Sequence, residues 1–106
     1  MVSFEDFKKL DIRIARIADV REHPNADKLY VIQIDLGDRT KQIVAGIRAN
    51  YSSADLVGKK IVVVDNLEPV TLRGEESHGM LLAACDKNGP VVLVPESDVP
   101  PGTQIS

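Results

Sequence analysis

Two histidines, one cysteine and sixteen carboxylates are the side chains in this sequence that could carry acid–base, nucleophilic or metal chemistry. Their spacing argues against all three. His23 and His78 fall in separate loop-like stretches, with no cysteine or acid at the short intervals of a zinc site. Cys85 ends the apolar run that begins at Met80, where a thiol acts as a packing group rather than an activated nucleophile. The acids form no recognisable pair, and the seven glycines scatter over turns instead of gathering into a phosphate loop. The expectation is a protein that catalyses no reaction and uses no metal or cofactor.

What remains is a capacity to hold a ligand. Lys28, Lys41, Arg48 and Arg73 are candidates for contacting phosphate, and Gly74 after Arg73 lets the backbone approach a ligand closely. Polar groups flank these cations: His23 and Asn25 in HPNAD, Asn66 in NLEP, Ser77 and His78 in ESHG. Hydroxyl and imidazole donors can reach phosphates or the ribose 2′-hydroxyls that distinguish RNA. Each residue also has a plainer reading. The cations can be solvated, Ser77 can cap its turn, Asn25 can bond local backbone, Gly79 can serve backbone geometry, and Met80 can be core.

Net charge is −3, but its distribution matters more than its sum. Residues 28–48 hold four basic groups against Asp35 and Asp38, whereas residues 75–106 hold Lys87 against five acids. That permits a basic groove on an acidic protein. Aromatics make up only 4% of the chain, and outside the N-terminal stretch Tyr30 and Tyr51 are the only ones able to face solvent. Stacking on unpaired bases is poorly supplied, which favours a folded RNA surface as ligand.

The elements that must position these residues read as mostly β. Ser3 caps a short helix running to Leu10, with Phe4, Phe7 and Leu10 as one apolar stripe. Ile12 and Ile14 alternate, then Ile17 and Val20 break parity, predicting a long, bulged strand that ends near Arg21. Tyr30–Leu36 and Lys41–Ala45 form a second and third strand across a tight turn. SSADLV, residues 52–57, is a single capped helical turn. Ile61–Val64 and Met80–Ala84 are strands four and five, and Val91–Val94 adds a hairpin.

Five short strands, with a connecting segment between the third and fourth, suit a five-stranded barrel of the OB-fold type, with a generic sandwich as competitor. Neither IVVV (61–64) nor MLLAA (80–84) alternates, so both faces of these strands need cover. A homodimer would supply it; the N-terminal helix and the C-terminal hairpin could also do so. The length of 106 residues suits one domain over 1–106. With no apolar leader, no run near the ~20 residues of a membrane helix and no possible internal disulfide, the expectation is a soluble cytoplasmic protein.

HPNADKLY (23–30), KQIVAG (41–46), NLEPVTLRG (66–74) and ESHGMLLAA (76–84) together closely resemble the tRNA-binding domain family. That family includes the C-terminal appendix of methionyl-tRNA synthetases and stand-alone tRNA-binding relatives. The resemblance implies an OB-fold barrel, usually a homodimer, that reads the shape of tRNA rather than one anticodon. It also implies that Ser77-His78-Gly79-Met80 is a binding lip, with Met80 anchoring it to the core. The family often has lysines where this chain has Glu68 and Thr71, so two phosphate-facing charges are missing here. Relatives that act as chaperone-like or docking dimers make a protein-interaction module the alternative.

Overall fold

The computed structural model describes all 106 residues, Met1–Ser106. In chain order the elements are α1 (Phe4–Phe7), β1 (Ile12–Glu22), β2 (Tyr30–Asp35), β3 (Thr40–Ala45), α2 (Ser53–Leu56) and β4 (Lys60–Val64), followed by β5 (Val70–Leu72), β6 (Glu75–Ser77), β7 (Met80–Leu81), β8 (Ala83–Asp86), β9 (Gly89–Val92) and β10 (Gln104–Ile105). The five-stranded barrel and the short N-terminal helix are as the sequence implies.

β1 is the shared strand. Its first half pairs with β4, from Ile12↔Val64 to Arg16↔Lys60, and its second half with β2, from Arg16↔Asp35 to Glu22↔Tyr30. The register shifts between Ile17 and Asp19, where the broken alternation places it. A bulge sharpens the strand's twist, so one strand can serve both sides of a closing sheet. β2 and β3 pair across the Gly37-Asp38 turn, and β7 adds to β4 through Val63↔Leu81 and Val64↔Met80.

The sheet closes where β7 meets β3, and the closing contact is made by residues 76–79. The Ser77 hydroxyl accepts from Val44 N–H at 2.9 Å and donates to the Gly79 carbonyl at 2.9 Å. His78 N–H donates to the Gln42 carbonyl at 2.9 Å, and the Gln42 amide donates to the Glu76 carbonyl at 2.9 Å. A Cβ on Gly79 would stand 2.9 Å from the Val64 carbonyl oxygen, so the seam passes too close to β4 for any side chain there.

Ile17, Ile32, Ile34, Ile43, Ile61 and Val63 fill the interior, and α2 inserts Leu56 among them. A four-residue helix has no stability of its own. Ser52 caps it by accepting from Asp55 N–H at 3.2 Å, and full burial of Leu56 contributes roughly 2–3 kcal/mol.

Five expectations need correction. Met80 is not a core anchor: it is 50% exposed, and in the two-residue strand it is Leu81 that turns inward. Strand five does not run unbroken from Met80 to Ala84. Leu82 N–H still bonds the Val62 carbonyl at 2.9 Å, but the chain then leaves β4 and pairs as β8 with β9. The Phe4, Phe7 and Leu10 stripe is not buried on the barrel, since α1 has no buried residue. Cys85 is not a packing group, since it is exposed on β8. Residues 70–77, to which the sequence assigns no strand, form a hairpin of two three-residue strands, too short and too charged for periodicity to show.

That hairpin, β5–β6, turns at Arg73-Gly74 with φ of 54° and 92°, the left-handed pair of a type I′ turn. Its base belongs to the seam. Nearer the tip it is tied to the β1–β2 loop by His23, which is 3% exposed. His23 Nδ1 accepts from Asn25 N–H at 2.9 Å, so the ring proton is on Nε2, which donates to the Leu72 carbonyl at 2.9 Å. Glu75 adds an ion pair to Arg21 on β1.

Two outcomes follow. Ser77→Ala leaves Val44 N–H without its partner inside the seam and should cost about 1–3 kcal/mol, read as a lowered midpoint in thermal unfolding followed by circular dichroism. His23→Ala should cost a similar amount, and amide hydrogen exchange should show lost protection confined to residues 23–29 and 70–77. Uniform loss across the barrel would contradict the local tether.

Candidate functional site

One end of the barrel is marked by three strand termini in register, Glu22↔Tyr30 and Tyr30↔Ala45. Here the 23–29 loop, the segment after β3 and the tip of the β5–β6 hairpin converge. Pro24 and the side-chain and backbone bonds of His23 shape the first of these, with His23 N–H donating to the Leu29 carbonyl at 3.1 Å.

Three of the four candidate cations gather at this end. Lys28 is exposed on the loop and Arg73 is exposed at the hairpin tip, and neither forms an ion pair. His23 bonds the carbonyls of Leu29 and Leu72, the immediate neighbours of Lys28 and Arg73, so both cations stand on one braced frame. Arg48 supports that frame from the other side. Its backbone N–H donates to the Lys28 carbonyl at 3.4 Å, and its guanidinium reaches the Ala26 carbonyl at 3.3 Å and Glu22 at 2.7 Å.

Arg73 is the one non-glycine residue with positive φ. A left-handed L-residue costs roughly 1–2 kcal/mol, so an arginine in that conformation is a strained way to build a turn that asparagine or glycine makes freely. The Leu72↔Glu75 pairing on either side of the turn holds the backbone from which the guanidinium extends.

Lys41 does not join the group. It lies at the far end of β3, four residues from Ala45, or about 13 Å along the strand. Its Nζ is 2.6 Å from Asp65 Oδ1 and donates to the carbonyls of Asp65 at 2.8 Å and His78 at 3.2 Å. Asp65 is buried and also pairs with Arg39. The lysine's charge is thereby committed to holding the exit of β4 and the seam against β3.

The remaining candidates are structural in their contacts. Asn66 accepts from Asp11 N–H at 2.8 Å and donates to the Lys9 carbonyl at 2.7 Å, clamping the chain where it enters β1. Asn25 is exposed, but its backbone N–H is held by His23. His23 and Ser77 are buried with their polar atoms occupied, so neither presents a group to a ligand. His78 is part-exposed, its Nε2 3.1 Å from Glu76 Oε2, while Gly79 lies inside the seam and Met80 beside it at the surface.

The stacking aromatics are fewer than the sequence allows. Tyr30 is buried and donates its hydroxyl to the Tyr51 carbonyl at 2.6 Å, and the Tyr51 hydroxyl accepts from Val92 N–H at 3.1 Å. One cation absent from the sequence reading, Arg21, belongs to this end. Past the bulge, Val20 turns partly inward and Arg21 faces out, a parity that the position of the bulge makes readable. No group of three or more His, Cys, Asp or Glu is placed to hold a metal. The arrangement offers fixed cations and backbone donors to an anionic surface.

Residues 12–104 match the model of the family described as "Putative tRNA binding domain". The chain is 52% identical over 104 residues to a methionine–tRNA ligase of Thermococcus onnurineus, covering 98% of this chain and 14% of that protein. It is 45% identical over 105 residues to the corresponding ligase of Nanoarchaeum equitans, covering 99% of this chain and again 14% of the ligase. This chain is thus similar to a small part of each enzyme. Among solved structures, a MetRS-related protein from Pyrococcus horikoshii superimposes with TM-score 0.93 at 27% identity, over 100% of this chain and 98% of that one. The CsaA chaperone protein from Picrophilus torridus does so with TM-score 0.93 at 33% identity, over 100% of both chains. With the family model matched over residues 12–104 and relatives this similar along nearly the whole chain, the chain belongs to the tRNA-binding domain family.

Proposed function

We propose that residues 1–106 form one non-catalytic domain that binds folded tRNA by its shape and holds it near a synthetase. The observation that carries this reading is the pair of unpaired cations, Lys28 and Arg73, held on two segments that His23 joins at one end of the barrel. A fixed spacing of charges suits the fixed phosphate spacing of a folded RNA, while the burial of Tyr30 and the hydrogen-bonded, half-buried Tyr51 leave no freely exposed tyrosine for stacking on extended single strands. The family membership and the similarity to parts of methionine–tRNA ligases support tRNA as that RNA. The absence of a helix long and apolar enough to cross a membrane and the free Cys85 are compatible with cytoplasmic surroundings.

The proposed assembly is a homodimer. Phe4, Leu10, Val91, Leu93 and Val94 are exposed, an amount of apolar surface that a second copy would cover. A dimer also carries two copies of the cationic end, which raises apparent affinity through effective concentration. The same apolar surface, with the acidic last third of the chain and the likeness to CsaA chaperones, favours a protein-interaction dimer as the second reading.

Titration of total tRNA against salt separates the two. About three phosphates neutralised per subunit would give a slope near −2 to −3 in log K against log salt. Lys28→Ala and Arg73→Ala should each weaken binding about three- to tenfold and flatten the slope by roughly 0.7–0.9. Lys41→Ala should instead lower the thermal midpoint, because it strips one partner from buried Asp65, and leave the slope unchanged. Salt-independent retention of tRNA, indifferent to Lys28 and Arg73, would favour the protein-interaction reading. Light scattering on a sizing column should return twice the 11.6 kDa chain mass, and Phe4→Ser with Leu93→Ser should return one.

A further inference from the structure

Arg21 stands beside the proposed interface with its charge covered. Its guanidinium pairs with Glu75 on β6, two residues from Arg73, and Glu75 is its only hydrogen-bond partner. The neighbouring Arg48 differs in one respect that decides its behaviour: besides Glu22 it also bonds the Ala26 carbonyl, so its position is set by the backbone. Lys41 is likewise held by two carbonyls as well as by buried Asp65. Arg21 has no such second tie, and its side chain is 46% exposed. The pair is open to solvent on the arginine side, Glu75 being 21% exposed, so water and salt screen it in part.

We infer that Arg21 is a masked phosphate-binding residue, which leaves Glu75 for an RNA phosphate when the ligand docks. The exchange suits the chemistry of both partners. A guanidinium accepts carboxylate or phosphate in the same forked geometry, and the pair is close enough to the hairpin tip that a strand lying on Arg73 brings phosphates past it. Each phosphate neutralised also releases condensed counterions, which an intramolecular carboxylate does not. Glu75 thereby acts as a built-in competitor. It keeps Arg21 from holding scattered anions and requires a ligand that engages Arg73 at the same time. This inference rests on the tRNA-binding reading and extends its site by one cation and one acid.

The experiment compares the intact chain with Glu75→Gln, Arg21→Gln, the double variant and a distant control, Glu96→Gln, which removes the same charge beside Lys59 and Lys60. Total tRNA is titrated at several salt concentrations, and thermal midpoints check folding. Glu75→Gln should tighten binding about two- to fivefold, the scale of one exposed charge, with Glu96→Gln changing it less. Arg21→Gln should flatten the salt slope by about 0.7–0.9, and Glu75→Gln should no longer tighten binding once Arg21 is gone. Equal gains from Glu75→Gln and Glu96→Gln, or an unchanged slope in Arg21→Gln, would overturn the inference while leaving tRNA binding in place. Should Arg21→Gln fail to fold, the comparison of Glu75→Gln with Glu96→Gln decides by itself. Absence of salt-dependent tRNA binding by the unaltered chain would sink both readings.

Discussion

The hydroxyl of Ser77, buried between β3 and β7, carries two bonds that the rest of the molecule relies on. By accepting from Val44 it satisfies a backbone donor on the outer edge of β3, and by donating to the Gly79 carbonyl it sets how β7 approaches. A sheet that closes leaves no row of unpaired edge groups, and this closure is made by the Ser77 hydroxyl, the Gln42 side-chain amide and the His78 N–H rather than by a full ladder. Gly79 completes the geometry, since a Cβ would collide with β4. The segment expected to be a binding lip is therefore first a fastening. It ties the base of the β5–β6 hairpin to β3.

The supply of unpaired cations at one end arises from how the acids are placed rather than from the total charge. The chain is acidic overall, yet Asp11, Asp65 and Asp98 are occupied with Arg13, with Arg39 and Lys41, and with Lys60, away from the loop end. At that end Lys28 and Arg73 keep their charges free, and Arg21 and Arg48 meet carboxylates that are not buried. The local potential follows these pairings, because a charge compensated at 3 Å contributes little beyond a Debye length. Glu68 and Thr71, where the family resemblance implies lysines, leave Arg73 as the one cation of the β5–β6 hairpin and the turn before it.

Residue patterns disclosed a large part of the architecture. Alternation in Tyr30–Leu36 and the broken parity of Ile12–Val20 located β2 and the bulge of β1, because a half-buried strand must present apolar side chains every second residue. Ser3 and Ser52 announced their caps. Periodicity could not reveal β5 and β6, whose three residues each are placed by the seam and by His23 rather than by a buried face. Nor could it tell Met80 from Leu81, since two adjacent apolar residues in a strand look alike until the partner strand fixes which faces in.

The sequence by itself determined the β-rich class, the family and the identity of the cations, all properties of local pattern and motif. Tertiary structure decided which cations are available. Lys28 and Arg73 lie 45 positions apart in the chain and share one frame because buried His23 bonds a carbonyl next to each, that of Leu29 through its backbone N–H and that of Leu72 through its ring. Lys41, in a motif that looked equally suited to phosphate, is drawn off by Asp65, 24 positions later. Coulombic pairing depends on distance in space, and a linear pattern holds no record of it.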